Sequence, residues 1–108
     1  DNFLVRFVHV DRLNQIVNAL PNKGGLKILD AGCGEGHLIE KMNKARNMNN
    51  YYGIDITEVA LKKTRRRCPF ASIKKMDIKK TEFEDGFFDV ITCTEVLEHI
   101  SEFQAVLR

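Results

Sequence analysis

Leu26-Lys27-Ile28-Leu29-Asp30-Ala31-Gly32-Cys33-Gly34-Glu35-Gly36 is the stretch on which the reading of this chain turns. Leu26, Ile28 and Leu29 make a short apolar strand that runs to Ala31. Three glycines alternate with other residues immediately after it. Leu38, Ile39 and Met42 then recur at helical spacing. The pattern is strand, glycine turn, helix. Glycine lets the main chain turn sharply and lets a ligand approach the backbone closely. The helix that follows leaves N–H groups and its positive dipole end at the same place. In open α/β sheets, ligands sit beyond the carboxyl ends of the strands. A ligand site at this turn is the expectation.

Moving outward, Tyr51 to Ile56 reads as a second strand carrying Asp55, 19 residues after Gly36. An acid there can accept hydrogen bonds from both hydroxyls of a ribose; an Asx turn before the next helix is the plainer alternative. Thr57 is placed to cap that helix with its hydroxyl. Val59, Ala60, Leu61 and Thr64 carry it to Arg67, ahead of Pro69. Ala71 to Met76 is a third strand. Asp77 follows it, as an acceptor for an adenine amino group or as a solvated strand-end acid. Phe87 to Cys93 is a fourth, rich in β-favouring residues, with Thr94 after it. Polar groups thus end four strands along one edge.

Upstream, the span from Phe3 to Leu20 has a helical period, with Phe7, Val10, Leu13, Ile16, Val17 and Leu20 at steps of three or four. Pro21 and Asn22 to Gly25 stop this leading helix. Downstream, Ser101 and Gln104 form a capping box for a last helix through Phe103, Val106 and Leu107. Strands alternating with helices imply parallel pairing with right-handed helical crossovers. The expected fold is a single α/β domain, a doubly wound parallel sheet.

Composition narrows the function classes. The chain has 108 residues, 44% hydrophobic and 30% charged, as ordinary globular domains do. No apolar run is long enough to span a membrane. Net charge is +2. Basic residues cluster at Lys62 to Arg67, Lys74-Lys75 and Lys79-Lys80, but no interleaved aromatics offer a stacking platform, so a solvated face is the favoured reading. Cys33, Cys68 and Cys93 are odd in number and form no C-x-x-C pair. That argues against a disulfide framework or a zinc knuckle and fits a reducing cytoplasm.

Asp30-Ala31-Gly32-Cys33-Gly34-Glu35-Gly36 resembles the first motif of class I S-adenosylmethionine-dependent methyltransferases. Gly53-Ile54-Asp55-Ile56 is similar to the second, Met76-Asp77-Ile78 to the third, and Phe88 to His99 to the fourth and its extension. The resemblance covers Leu26 to Arg108 and is nearest to the broad small-molecule subgroup. It implies a Rossmann-like sheet with the four strands in the order 3-2-1-4, and S-adenosylmethionine as cofactor. The implied cofactor residues are Asp30, Gly32, Cys33, Gly34, Gly36, Asp55, Ile56, Asp77, Ile78 and Thr94. Gly32 and Gly34 would line the methionine portion, and Asp30 would orient the turn. Asp55 would take the ribose, Ile56 and the Asp77-Ile78 pair would border the adenine, and the Thr94 carbonyl would lie near the methionine end. The implied reaction is in-line attack on the sulfonium methyl by an unidentified acceptor, a small molecule. Positioning then does most of the work.

The family normally has about seven strands, and four are legible here. A truncated chain is the expectation, with the fourth strand left as an apolar, unpaired edge open to self-association. Glu95, Glu98 and His99 would share a helical face and resemble metal sites of small-RNA 2′-O-methyltransferases and ubiquinone-pathway O-methyltransferases. The favoured reading is a family signature with no metal; His99 is the plausible general base. A nicotinamide-binding Rossmann domain is the runner-up, although its G-x-G-x-x-G pattern fails at His37. A non-catalytic cofactor-binding module is the third reading.

Overall fold

A computed structural model describes Leu4–Val5, residues 13–77, residue 80 and residues 82–93. Its elements in chain order are β1 (Leu4–Val5), α1 (Leu13–Ala19), β2 (Lys27–Ala31), α2 (His37–Ala45), β3 (Asn50–Asp55), α3 (Glu58–Arg67), β4 (Ser72–Lys75) and β5 (Val90–Cys93). The strands form one sheet in the order β1-β5-β2-β3-β4. Every pairing is parallel. The expected order of four strands is present as β4-β3-β2-β5.

Two expectations need correction. Val90 and Ile91 of the fourth predicted strand are not an open edge, because Leu4 and Val5 pair with them. The premise for self-association through that edge therefore fails. The span from Phe3 to Leu20 is also not one helix: Leu4–Val5 is a strand, and the helix described is Leu13–Ala19. Apolar spacing reports side chains only. It is blind to the unpaired N–H and C=O groups along β5, which recruit this segment as a strand.

The two faces of the sheet are covered differently. On one face Ile28, Tyr51 and Val90 pack with Ile16, Val17 and Leu20 around α1, with Leu38, Ile39 and Met42 of α2, and with Leu61 of α3. Burying each large aliphatic side chain contributes about 1.5–3 kcal/mol. Of the residues expected to carry α3, Leu61 and Thr64 are buried and Val59 is exposed.

On the other face Leu29, Ala31, Ile54, Met76, Phe88 and Ile91 are closed over by Tyr52, Phe83 and Phe87. Tyr52 meets Phe87 and Phe88 edge-on, with ring centroids 5.6 and 5.2 Å apart. Edge-to-face pairs add about 0.5–1.5 kcal/mol beyond area burial. Phe87 and Phe88 were expected inside the fourth strand. They precede it because ring packing claims them, and the ladder begins only where the Asp89 N–H reaches the Lys27 carbonyl at 2.8 Å. Its carboxylate takes the Lys27 N–H at the same distance.

Candidate cofactor site

The glycine turn leaves the carboxyl end of β2, the strand between β3 and β5. The N–H groups of Gly32 and Cys33 both donate to the Ile54 carbonyl of β3, each at 2.9 Å. The Gly36 N–H donates to the Cys33 carbonyl at 3.0 Å, and Gly36 is the N-cap of α2. Gly32, Gly34 and Gly36 have φ of 74°, 58° and 87°. A residue with a Cβ pays about 1–2 kcal/mol for that left-handed backbone, so the alternation of glycines is what the turn requires.

The three glycines differ in what surrounds them. Among the described residues, a Cβ on Gly32 or Gly34 would meet nothing within 4 Å, so none of them closes the turn on that side. A Cβ on Gly36 would come within 3.1 Å of both the Cys68 sulfur and a Thr64 methyl. Gly36 is needed for packing, while Gly32 and Gly34 leave backbone bare to whatever lies outside.

Asp55 ends β3 beside this open side. Its Oδ2 accepts the Gly34 N–H at 2.9 Å and its Oδ1 accepts the Thr57 N–H at 3.0 Å. The Asx turn and the ribose reading are therefore compatible. A carboxylate has about four acceptor positions, and the two backbone donors leave room for two hydroxyls. Thr57 stands at the N-cap of α3 as expected, but its hydroxyl makes no cap hydrogen bond. The Asp55 carboxylate takes over that end of the helix by binding the Thr57 amide.

Ile56, next along, is 63% exposed. An apolar side chain left in water beside an acid with acceptor positions to spare suits the face of a nucleobase. Asp77 is exposed beyond the end of β4, two residues past Lys75. Ile78, Thr94, Glu95, Glu98 and His99 lie outside the described residues, as does the predicted helix after Ser101.

Asp30 is not at the solvent edge where a row of strand-end acids would place it. It is 1% exposed, flanked in register by Gly53 on β3 and Thr92 on β5. The Thr92 hydroxyl donates to Asp30 Oδ1 at 3.0 Å. Gly53 makes room for Ile39 and Cys33, since a Cβ on it would sit 2.8 Å from Ile39 and 3.1 Å from the Cys33 sulfur. Cys33 is buried too. Burial, with the Asp30 charge next, pushes its thiol up to about 12 from an ordinary value of 9.0. Burial likewise raises Cys68, to about 11. Both are free cysteines, held as neutral thiols rather than nucleophiles.

A family described as a methyltransferase domain matches residues 22–108. The chain belongs to it: this is a class I S-adenosylmethionine-dependent methyltransferase domain. S-adenosylmethionine is the cofactor of that family. A ubiquinone biosynthesis O-methyltransferase from Acinetobacter baumannii (strain AYE) is 31% identical over 103 residues, which are 90% of this chain and 43% of that protein. The chain thus spans less than half the length of that relative. Geranyl diphosphate C-methyltransferase from Streptomyces coelicolor A3(2), solved with Mg2+, geranyl diphosphate and S-adenosyl-L-homocysteine, superposes with a TM-score of 0.78 at 14% identity, over 88% of this chain and 39% of that one. A Mesorhizobium loti S-adenosylmethionine-dependent methyltransferase superposes at 0.62 with 27% identity, over 73% of this chain and 38% of that one. The methyltransferase domain displaces the nicotinamide-binding alternative.

The residues present fit the cofactor. Bare backbone, an acid with free acceptor positions and an exposed apolar side chain lie in sequence along one edge. Sequence reasoning missed Thr92, whose signal was a polar residue inside a buried strand. It also missed the inward role of Thr64 and Cys68. They are four apart on a helix otherwise crowded with Lys and Arg, the spacing that puts two residues on one face.

Proposed function

We propose that this chain holds S-adenosylmethionine across Gly32, Cys33, Gly34 and Gly36, and that the protein transfers its methyl group to an oxygen of a small molecule. The observation that carries the reading is the open side of Gly32 and Gly34 next to Asp55. The methionine portion runs along that bare backbone, and Asp55 receives the ribose hydroxyls. Ile56 covers one face of the adenine, with Asp77 and Ile78 at its edge. Asp30 steadies the turn from beneath through its place in the sheet; Thr94 is assigned to the methionine end by the family motif alone. The bound cofactor supplies an electrophilic methyl on a sulfonium. What this chain adds is orientation, which can be worth several orders of magnitude in rate.

The small-molecule oxygen acceptor rests on the ubiquinone biosynthesis O-methyltransferases among the relatives. A cytoplasmic site of action rests on the two buried free thiols. No helix among the described residues is long and apolar enough to cross a membrane.

Calorimetric titration with S-adenosylhomocysteine and with NAD tests the cofactor reading. Saturable binding of the first and no heat from the second are expected; the reverse would refute the site. Incubation with methyl-labelled S-adenosylmethionine and separate phenol, RNA and protein pools tests the acceptor. Label is expected in the phenols, and label confined to RNA or protein would contradict a small-molecule acceptor.

A further inference from the structure

Successive carbonyls of the glycine turn are all received by one helix. The Thr64 hydroxyl donates to the Gly34 carbonyl. Arg67 Nε donates to the Glu35 carbonyl at 3.1 Å. The Cys68 thiol donates to the Gly36 carbonyl at 3.3 Å. Thr64 and Cys68 are fully buried, and the Thr64 hydroxyl also receives the Cys33 thiol at 3.8 Å. From these contacts we infer that Thr64, Arg67 and Cys68 are positioning residues for the cofactor, with Thr64 the principal one. The inference rests on the cofactor lying at the glycine turn.

A trans peptide sets its N–H opposite its C=O. Holding the carbonyls of Gly34, Glu35 and Gly36 against α3 therefore turns the N–H groups of Glu35, Gly36 and His37 the other way and keeps them there. Left-handed glycines have many accessible backbone states, so without such a hold the turn would lose order and the cofactor would have to supply it on binding. Asp55 enters α3 directly through Thr57 and also grips the Gly34 N–H. One element thus fixes the ribose acid and the turn in a single relation.

The members of the hold are unequal. Lys63 pairs with Glu35 at 3.3 Å and Arg67 with Glu40 at 3.4 Å, both at the surface, where ion pairs contribute little. Lys63 does hold the Glu35 carboxyl below its usual range. Thr64 works out of water, where an orphaned acceptor is costly.

The test compares Thr64→Val, Thr64→Ser and Asp55→Ala in the purified protein, by calorimetry with S-adenosylhomocysteine and by backbone amide NMR of the unliganded state. Thr64→Val keeps the shape and removes the donor; affinity is expected to fall about tenfold, the loss of one hydrogen bond to a buried acceptor. The Glu35 and His37 amide signals should shift. Thr64→Ser should restore both affinity and shifts, which a purely volumetric role for Thr64 would not do. Asp55→Ala should weaken binding independently. If Asp55→Ala weakens binding while Thr64→Val binds as tightly as the parent, the site stands and the positioning role is overturned. If Asp55→Ala has no effect, the site reading fails and the positioning role falls with it. Should Thr64→Val not fold, Arg67→Met combined with Cys68→Ala carries the same comparison. An affinity loss is expected there, and unchanged affinity overturns the role.

Discussion

Gly34 and Gly36 are two residues apart, both left-handed, in the same turn, yet they are glycine for different reasons. A side chain on Gly36 would be driven into Thr64 and Cys68, whereas one on Gly34 would meet none of the described residues. Gly53 sides with Gly36, its missing side chain replaced by Ile39, Ile73 and Cys33. Gly32 sides with Gly34. The turn therefore has an inner wall that the fold needs and an outer wall that it does not. Bare backbone on the outer wall gives nothing to packing, which is why it reads as a place kept for a ligand.

The same substitution at both positions breaks or sharpens this contrast. Gly36→Val combines left-handed strain with overpacking and is expected to cost roughly 2–5 kcal/mol of stability, a large part of what a domain of this size possesses. Thermal unfolding measures it, and an unchanged midpoint would refute the packing role. Gly34→Val should cost only the strain, about 1–2 kcal/mol, while S-adenosylhomocysteine binding disappears from the calorimetric trace. A folded Gly34→Val protein that still binds would remove the outer wall from the site.

Asp55→Ala comes next. It leaves ribose hydroxyls without their acceptor and frees the Gly34 N–H, so affinity should fall by about 1–3 kcal/mol in the same titration. Unchanged binding would place the ribose elsewhere.

The effect that vanishes at neutral pH, and so ranks last there, concerns the inner wall. The folded Cys33 thiol is raised to about 12, against 9.0 ordinarily. Between those values the unfolded chain has released the proton and the folded chain still holds it. The associated stability is fully present below about pH 9 and is lost as pH rises from there toward 12. Denaturant midpoints across that range should fall for the parent and fall less steeply for Cys33→Ala. Parallel slopes would show that Cys33 is not sealed within the wall.

Much of this was legible in the sequence because it is local. Strand, glycine turn and helix follow one another from Leu26 to Met42, and Asp55 ends the next strand at a readable distance. The order of the four strands came with the family motifs. What stayed hidden depends on contacts between distant segments. Leu4–Val5 is a strand only because β5 has backbone groups to satisfy, and helical spacing nearby masked it. Phe87 and Phe88 look like strand but obey Tyr52 and Phe83. Thr64 looked like one more helix residue, and its partner Gly34 lies 30 positions away. Asp30 read as an acid that orients the turn, and its buried partner Thr92 lies 62 positions away.

A crystal structure of the protein with S-adenosylhomocysteine tests the outer wall directly. The account predicts the amino-acid portion of the ligand along the Gly32–Gly34 backbone, with both ribose hydroxyls within about 3 Å of the Asp55 carboxylate. Ligand density away from that backbone, or a ribose bound without Asp55, would contradict it.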